Sequence, residues 1–348
     1  MEKIRLGRTG MMVSKLGFGS IPIQRTTDDE ALAVIRKCME LGITFLDTAN
    51  GYTTSEERIG RAISGRREEF IIATKSHALT REGLESDIKL SLKRLGVEYI
   101  DLYQFHNIHD TETLERVLEP NGLMDLIQEA KKEGLVRHIG ASSHSMDTAK
   151  EIVKSDRFET IQFPFNFITC EPADELLPLT REHDVGFIAM KPMAGGMLDN
   201  ATIAFKYLFQ FPDVVPIPGA EKVHEIEEIV QIMEQPLAMT VAEQREMERL
   251  KKELGTRFCR RCDYCQPCPQ GILISSVITF PSLLKRQAPA RLFSGSFSAP
   301  MEKAVDCAEC GECEEKCPYQ LPIREMIAEY VKQYQAEKQK YQEQTASS

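Results

Sequence analysis

The chain has 348 residues, ten cysteines and a formal net charge of −10 at neutral pH. This acidic balance and the lack of an extended basic stripe argue against a nucleic-acid partner. The charged N-terminus lacks the apolar core of a signal peptide, and no apolar run is long enough to span a bilayer. We therefore expect a cytoplasmic protein, in which thiols stay reduced and clustered cysteines act as metal ligands.

The first predicted element is a hairpin, formed by two short runs around Gly7–Gly10. From residue 16 to about 235, short β-branched or aromatic runs alternate with helical patterns. The eight predicted strands cover residues 16–21, 43–47, 70–75, 99–106, 136–142, 160–165, 186–192 and 214–219. They are continuously apolar, as expected for strands that are buried on both faces. Eight such β–α units predict an α/β fold, specifically a (β/α)8 TIM barrel.

A doubly wound sheet is the alternative for the same alternation of strands and helices. The glycine pair Gly17 and Gly19 lacks the third glycine of a dinucleotide-binding fingerprint, and the sequence contains no P-loop motif. We therefore interpret this glycine pair as strand-end geometry within a barrel.

Three segments are predicted from these patterns. Residues 1–255 form the barrel with its N-terminal hairpin and a trailing helix at 240–255, which has a threonine cap and a glycine stop. Residues 256–325 contain the clustered cysteines and form a second domain. Residues 326–348 form a polar C-terminal helix and tail.

Four ionisable side chains follow three consecutive predicted strands. Asp47 ends the second strand, and Tyr52 lies in the loop after it. Lys75 and His106 end the third and fourth strands. The carboxyl ends of barrel strands form the active-site face, so these groups are expected to converge there. A buried lysine is costly unless it is paired, and Asp47 on the adjacent strand is its expected partner.

Together the four groups suit proton transfer to a carbonyl group. A tyrosine hydroxyl is a weak acid at neutral pH, and an adjacent ammonium stabilises its anionic form. Asp47 would hold Lys75 in place, while His106 would donate a hydrogen bond to a substrate oxygen. Such a set polarises and protonates a carbonyl group as a hydride arrives. Three further histidines either line a polar substrate pocket or lie in surface loops: His77, His109 and His144.

Several motifs in this sequence resemble those of the aldo-keto reductase family. They are, in order, LGRTGMMVSKLGFGS, FLDTANGY, IATKS, DLYQFHN, IGASS and IPGA, within residues 3–235. The resemblance implies a barrel that binds an extended nicotinamide cofactor and transfers a hydride to a carbonyl group. It implies that Tyr52 is the general acid/base and that Lys75 tunes it. It also implies that Asp47 pairs with Lys75 and that His106 orients the substrate.

The resemblance also implies residues that contact the cofactor, NAD(P)H. Ser142 and Ser143 stand where the family has a serine–asparagine pair that holds the carboxamide. Gln162 matches a glutamine of the same site. Met190 replaces the usual aromatic residue and can pack on the nicotinamide ring. Lys191 is placed to meet the pyrophosphate.

Two glycine-containing loops complete this expected cofactor site. Gly195 and Gly196 form either a simple turn or an anion nest for the pyrophosphate. The loop after the eighth strand carries Gly219, Glu221 and, at the usual arginine position, Glu225. Carboxylates repel the 2′-phosphate of NADPH but can accept a hydrogen bond from a ribose hydroxyl. We therefore expect a preference for NADH over NADPH.

Two cysteine runs define the C-terminal domain. The first contains Cys259, Cys262, Cys265 and Cys268, the second contains Cys307, Cys310, Cys313 and Cys317, and a proline follows each run. A single tetrahedral zinc fits this spacing poorly, whereas a [4Fe–4S] cluster takes three such cysteines and a distant fourth. The runs resemble those of a two-cluster ferredoxin, in which the fourth cysteine of each run binds the other cluster.

This second resemblance implies two [4Fe–4S] ligand sets. The first set is Cys259, Cys262, Cys265 and Cys317, and the second is Cys307, Cys310, Cys313 and Cys268. A barrel followed by such a module resembles the ferredoxin-fused aldo-keto reductases of anaerobic microbes.

Three functions are compatible with this combination of domains. In the first, the barrel interconverts a small-molecule carbonyl and alcohol, and the clusters exchange electrons with a ferredoxin-like partner. Nicotinamide moves a hydride and clusters move single electrons, so a flavin usually links them, although the sequence has no flavin motif. In the second, the clusters only brace the C-terminus or a homo-oligomer of an ordinary NAD(P)H carbonyl reductase. In the third, a vestigial barrel serves redox sensing or interaction, which the intact set of four residues argues against.

Overall fold

The computed structural model describes residues 1–346. They form two compact units: unit 1 contains Met1–Ala194 and Leu198–Met239, and unit 2 contains Gly195–Met197 and the described residues from Thr240 onward. The sequence places a domain boundary at 255 and so assigns the helix Val241–Gly255 to the barrel, whereas the structure assigns this helix to unit 2. A glycine stop marks where a helix ends, but it does not show which core the helix packs against.

Unit 1 is a parallel barrel preceded by a hairpin, in which β1 (Lys3–Arg5) pairs antiparallel with β2 (Met12–Ser14). The barrel strands, in spatial and chain order, are β3 (Phe18–Gly19), β4 (Phe45–Asp47), β5 (Ile71–Ser76), β6 (Ile100–Phe105), β7 (Val136–Ser142), β8 (Thr160–Pro164), β9 (Gly186–Met190) and β10 (Val214–Pro216). The amides of Gly17 and Gly19 donate to the carbonyl oxygens of Pro216 and Pro218 at 2.9 and 2.8 Å. These bonds join the first strand to the last, and the predicted (β/α)8 fold is confirmed.

Helices alternate with the strands of unit 1. They are α1 (Asp28–Glu40), α2 (Ser55–Ile63), α3 (Arg81–Leu95), α4 (Thr111–Leu118), α5 (Leu123–Lys132), α6 (Met146–Lys154), α7 (Pro172–Glu175), α8 (Leu177–Glu182), α9 (Ala201–Leu208) and α10 (Val223–Met233). Side chains fix several of their first turns. Before α1, for example, the Thr27 hydroxyl accepts from the Glu30 amide, and the Glu30 carboxylate accepts from the Thr27 amide.

The first and last barrel strands approach each other closely because glycines line the seam. A Cβ atom at Gly19 would lie 2.6 Å from the carbonyl oxygen of Ile217. One at Gly17 would lie 2.8 Å from a ring carbon of Phe45. These approaches agree with the interpretation of the pair as strand-end geometry. The first and last strands, β3 and β10, are both shorter than predicted. In β10 this is because Pro216 and the proline two residues later have no amide hydrogen to donate to a neighbouring strand.

The hairpin packs against the amino ends of the strands. Leu6 and Val13 share one buried apolar cluster with strand residues such as Phe45 and Val215. A Cβ atom at Gly186, the first residue of β9, would lie 2.7 Å from the Leu6 side chain. The opposite mouth of the barrel, at the carboxyl ends of the strands, is therefore the end that carries the polar residues.

Unit 2 consists of helices and two cysteine-bearing segments. Its helices are α11 (Val241–Gly255), α12 (Ile274–Ile278), α13 (Phe280–Arg286), α14 (Pro289–Leu292), α15 (Gly295–Lys303), α16 (Glu312–Glu315) and α17 (Ile323–Ala346). The predicted segment 326–348 is not separate, because α17 begins at Ile323 and buries Met326 and Tyr330 in the core of the unit. Residues 347 and 348 of that segment lie outside the described residues. Within 1–346, every helix is too short or too polar to cross a membrane.

Candidate functional site

A buried ion pair lies at the carboxyl ends of β4 and β5. Lys75 Nζ donates to Asp47 Oδ1 at 2.6 Å and to the carbonyl oxygen of Thr48 at 2.7 Å. The side chains of Lys75 and Asp47 are only 1% and 3% exposed. The two residues come together because β4 and β5 are parallel neighbours in the barrel, paired through Asp47 and Ala73. The pairing that the sequence predicts for this lysine is therefore present in the structure.

The electrostatics of this pair keep the lysine charged. Burial disfavours the ammonium, but the Asp47 carboxylate and the Tyr52 hydroxyl more than offset this, so the pKa of Lys75 is raised. Burial also raises the pKa of the Asp47 carboxyl, and its hydrogen bonds to Lys75, Gln162 and Gln104 oppose that rise. The Lys75 ammonium therefore keeps its positive charge next to Tyr52, while the Asp47 carboxylate also contacts it.

Tyr52 and His106 lie beside the ion pair. Lys75 Nζ is 5.2 Å from the centroid of the Tyr52 ring, and the Tyr52 hydroxyl is a hydrogen-bonding partner of this ammonium. The ring centroids of Tyr52 and His106 are 5.9 Å apart, with an edge-on angle of 81°. The structure therefore brings together the four groups that the sequence places at consecutive strand ends. They form a proton donor, a cation that stabilises its conjugate base, and an imidazole next to both.

Two glutamines from the barrel interior reach the carboxylate of Asp47. Gln162 Nε2 donates to Asp47 Oδ1 at 3.4 Å, and Gln104 Nε2 donates to Asp47 Oδ2 at 3.2 Å. The sequence motifs indicated Gln162 but not Gln104. Gln104 could have been recognised because it is a polar residue within an otherwise apolar strand. The Oε1 atom of Gln162 is buried and has no hydrogen-bond partner within the described chain. An acceptor of this kind suits a ligand that donates, such as a carboxamide group.

The serine pair predicted to hold the carboxamide is buried at the end of β7. Ser142 Oγ accepts from the Asn107 amide at 2.8 Å. Ser143 Oγ donates to the carbonyl oxygen of Ser145 at 3.3 Å. Both hydroxyls therefore already form hydrogen bonds with the backbone of the loops around the mouth. Each keeps a further lone pair or hydrogen that could bind a ligand.

The residues after β9 have an unusual backbone. Met190 ends the strand and is half-buried. Lys191 has a φ of 56°, in the left-handed region that few non-glycine residues adopt. The side-chain amide of Asn166 donates to its carbonyl oxygen at 2.9 Å and supports this conformation. Gly219 lies at the barrel seam, where a Cβ atom would be 2.5 Å from the ring of Pro22.

The other two predicted cofactor residues, Gly195 and Gly196, belong to unit 2. Their φ angles are 67° and 86°, a conformation that favours glycine. Within unit 2 their carbonyl oxygens accept from Ser282 Oγ at 2.9 Å and from Lys285 Nζ at 2.7 Å. Both donors lie on α13, between the two cysteine runs, and no sequence pattern indicated these contacts.

The loop after β10 carries several charges in contact with one another. The Glu225 carboxylate accepts from the amides of Glu221 and Lys222 at 2.7 and 2.9 Å. Lys222 Nζ donates to Glu30 at 2.8 Å, and Arg25 lies 3.6 Å from the Glu221 carboxylate. Burial raises the pKa of Glu221, and Arg25 opposes that rise. Arg25, which sequence analysis missed, and Lys222 are therefore already neutralised by carboxylates.

The cysteines of unit 2 fall into two neighbourhoods. One cavity is lined by Cys268, Cys307, Cys310 and Cys313, together with Cys265. Burial raises the pKa of Cys262, and the nearby Cys317 adds to this rise, so the two thiols are neighbours. Burial also raises the pKa of Cys265 to about 12, with contributions from Cys259 and Cys262. Cys265 therefore borders both neighbourhoods, and four thiolates are the donor set of a [4Fe–4S] cluster.

Within residues 1–346, no group of three or more His, Cys, Asp or Glu side chains is arranged to hold a metal ion.

Comparison with known proteins identifies both units. Residues 15–202 match the aldo/keto reductase family. The chain belongs to this family. Residues 258–322 match the 4Fe-4S dicluster domain, so the protein is an aldo-keto reductase-type oxidoreductase with an iron–sulfur module at its C-terminal end.

Individual relatives support this assignment. The chain is 34% identical over 212 residues to the uncharacterized oxidoreductase YqkF of Bacillus subtilis, covering 57% of this chain and 67% of YqkF. It is 26% identical over 256 residues to the NADH-specific methylglyoxal reductase of Escherichia coli, covering 65% and 74% of the two chains. The structure of aldo-keto reductase AKR11C1 from Bacillus halodurans in its holo form matches with a TM-score of 0.61 and 27% identity. That match covers 72% of this chain and 96% of the other.

We predict that replacing one member of the buried ion pair destabilises this aldo-keto reductase. Lys75→Met leaves Asp47 buried without its cation, which typically costs about 3–5 kcal/mol. The double variant Asp47→Asn with Lys75→Met removes both charges and should recover most of the loss. The measurement is urea unfolding of the full chain. Lys89→Met, at the exposed pair with Glu85, is the matched control and should change little. Equal stability of the single and double variants would contradict the prediction.

Proposed function

We propose that the barrel interconverts a carbonyl compound and its alcohol, with NAD(P)H as the hydride donor. The observation that supports this most strongly is the buried Lys75 ammonium, which contacts both Asp47 and the Tyr52 hydroxyl with His106 edge-on to the tyrosine. The fold itself does not require a charged lysine at this position, because an apolar residue would fill the same space without the desolvation cost of a buried charge. Its contact with a phenol indicates acid/base chemistry.

Each of the four residues has its own role in the reduction of a carbonyl group. His106 donates a hydrogen bond to the carbonyl oxygen and so orients the substrate. Tyr52 gives its hydroxyl proton to that oxygen, and Lys75 stabilises the phenolate that remains until solvent returns the proton. Asp47 holds the ammonium against the tyrosine. A bound reduced nicotinamide supplies the two electrons as a hydride to the carbonyl carbon, and the oxidation of an alcohol reverses each transfer.

The proposed cofactor site uses the buried polar residues at the same mouth. Gln162 would accept a hydrogen bond from the carboxamide through its Oε1 atom, which is buried without a partner in residues 1–346. Ser142 and Ser143 would contact the same group, and Met190 would pack against the ring. Lys191 would contact the pyrophosphate.

We further propose that NADH is preferred over NADPH. Glu221 and Glu225 lie in the loop after β10, where the family resemblance puts the 2′-phosphate of NADPH, and the adjacent cations are already paired with carboxylates. A dianionic phosphate would meet net repulsion there, whereas a ribose hydroxyl could donate to Glu221. The E. coli relative whose name describes it as NADH-specific supports the same preference.

The ratio of kcat/KM with NADH to that with NADPH is predicted to exceed one. Glu221→Gln removes one of the two carboxylates and should raise kcat/KM with NADPH about fivefold, which corresponds to about 1 kcal/mol of repulsion. It should leave the value with NADH almost unchanged. Glu227→Gln, on α10 directly after this loop and paired with Lys37, is the matched control. A wild-type enzyme that favours NADPH would show that the carboxylates do not face the phosphate.

For unit 2 we propose two [4Fe–4S] clusters that exchange electrons with a ferredoxin-like partner. The ligand sets are Cys259, Cys262, Cys265 and Cys317 for one cluster, and Cys268, Cys307, Cys310 and Cys313 for the other. Cys310 is the exposed member of the eight. A cluster with an exposed ligand lies close to the surface, where a partner can approach it. Two clusters can each take one of the two electrons of a hydride.

A second function for the clusters is also supported by an observation. Cys265 is part of the apolar core of unit 2, and five other cysteines pack against that core: Cys259, Cys268, Cys307, Cys313 and Cys317. Without bound metal, nothing would hold these thiols together in the core, so unit 2 would be less stable. In this alternative the clusters only hold the fold of unit 2, and the barrel acts as an ordinary carbonyl reductase.

Replacing the proposed proton donor tests the reductase activity. Tyr52→Phe should lower kcat/KM for carbonyl reduction by about two to four orders of magnitude, because the oxygen receives no proton from the enzyme. The visible absorbance of the reconstituted clusters and the far-UV circular dichroism should both stay as in the wild type, so that a loss of activity cannot come from unfolding of either unit. The measurement is NAD(P)H oxidation in the presence of an aldehyde under anaerobic conditions. Undiminished reduction by this variant would exclude Tyr52 as the acid.

Adding NAD(P)H without substrate distinguishes electron exchange from bracing. If the clusters take electrons from the cofactor, their broad visible absorbance should bleach in the anaerobically reconstituted full chain without added flavin. Tyr52→Phe should bleach to the same extent, because electron transfer to the clusters needs no proton from the phenol. An unchanged spectrum in a protein that still reduces aldehydes would favour the bracing function.

A further inference from the structure

A guanidinium group borders the cavity of unit 2 that contains one of the two proposed ligand sets. Among the described residues, Arg324 is the one charged side chain, apart from the thiols, that lines this cavity. Its Nη1 atom donates to the carbonyl oxygen of Glu309 at 3.4 Å, in the loop between Cys307 and Cys310. A Cβ atom at Gly311 would lie 3.7 Å from the guanidinium carbon. The positive charge therefore lies against the segment that carries the second cysteine run.

The position of this arginine on its helix is unusual. Arg324 is the second residue of α17, which begins at Ile323. The first turn of a helix carries the positive end of the macrodipole, so a cation there is disfavoured. The neighbouring side chains of Met326 and Ile327 are buried in the core of unit 2 and fix this end of the helix. Nearby negative charge is therefore needed to offset the cost of placing an arginine here.

One source of negative charge is the carboxylate of Glu314, the residue that follows Cys313. Its Oε1 atom accepts from the Arg324 amide at 2.9 Å, and its Oε2 atom accepts from Nε and Nη2 at 3.0 and 2.7 Å. These three bonds fix the plane of the guanidinium. Of the two described side chains, Arg324 lines the cavity and Glu314 does not, so the pair turns its cation toward the thiols.

The two members of this salt bridge have opposite effects on a cluster in the cavity. A [4Fe–4S] cluster with four thiolate ligands is an anion, and its reduction adds one more negative charge. A neighbouring cation stabilises the reduced form more than the oxidised form and so raises the reduction potential. A neighbouring carboxylate lowers it. The Arg324 side chain is 46% exposed, so solvent screens part of its effect.

We propose that Arg324 raises the reduction potential of the cluster held by Cys268, Cys307, Cys310 and Cys313, and that Glu314 positions the guanidinium. This inference rests on the proposed cluster binding and names residues that regulate it. Arg324 acts through its charge and leaves the set of four ligands unchanged. The cluster concerned is the one with the exposed ligand Cys310, and the guanidinium allows a weaker electron donor to reduce it.

The test is a reductive titration of the anaerobically reconstituted full chain. Dithionite supplies the electrons, and electron paramagnetic resonance detects each cluster as it takes one electron. Arg324→Gln should lower the midpoint potential of one of the two clusters. We expect a change of about three- to tenfold in the one-electron equilibrium constant, which at about 59 mV per tenfold is about 30–60 mV. Arg324→Lys keeps the charge and should retain most of the wild-type potential.

Glu314→Gln distinguishes this role from a purely structural one. It removes the carboxylate but keeps an amide oxygen that accepts from the guanidinium, so the same midpoint potential should rise. If Arg324 only tied α17 to the cysteine segment, both glutamine variants would break the same salt bridge. The two midpoint shifts would then have the same sign or be absent, and either result would overturn the proposal.

Lys338→Gln is the matched control, because it removes another cation of α17 that is paired with a carboxylate, that of Glu302. Lys338 lies about 21 Å further along the helix, at 1.5 Å per residue, so both midpoints should stay unchanged. An equal shift of both midpoints in Arg324→Gln would overturn the proposal. If Arg324→Gln assembles no cluster, the proposal stands or falls on the upward shift in Glu314→Gln. Failure of the wild type to assemble two clusters would instead overturn the proposed cluster binding.

Discussion

The ion pair between Lys75 and Asp47 is the interaction on which the proposed site of unit 1 depends. Removing an ammonium from water is costly, and only a close carboxylate with further hydrogen bonds repays that cost. The parallel barrel supplies both, because it places the ends of β4 and β5 side by side and aims Gln104 and Gln162 at the same carboxylate. The pair then gives a fixed positive charge at the mouth, against which Tyr52 is held. The proposed site for proton transfer thus follows from how the strands close into a barrel.

Unit 2 solves a different physical problem. Its helices are short, and its apolar core includes cysteines that a metal cluster would hold together. The match to a dicluster domain explains why so many thiols occupy a small core, where leucine or valine would otherwise serve. The same thiols are suited to bind clusters and to stabilise the fold. Cluster binding and the stability of unit 2 are therefore expected to be coupled under either of the two proposed functions.

Several features could be predicted from local patterns, and others could not. The eight strands were recognisable as apolar runs between helical patterns, and the residues at their ends followed from the parallel arrangement. The assignment of α11 to unit 2 was not recognisable, because capping residues report helix ends and not packing partners. Arg25 gave no signal either, since its contact with Glu221 joins the beginning of the barrel to its last loop. Distant pairs of this kind depend on how the barrel closes.

The sequence by itself determined the chemical groups and the order in which strand ends present them. Asp47, Tyr52, Lys75 and His106 belong to one mouth because every strand of a (β/α)8 barrel ends on the same face. Only the tertiary structure decided which rings touch, as in the stack of His77 on His106, and which glycines contact α13. The physical reason is that periodicity fixes the face on which a side chain lies, whereas contacts between loops depend on side-chain rotamers and backbone angles that no local pattern encodes.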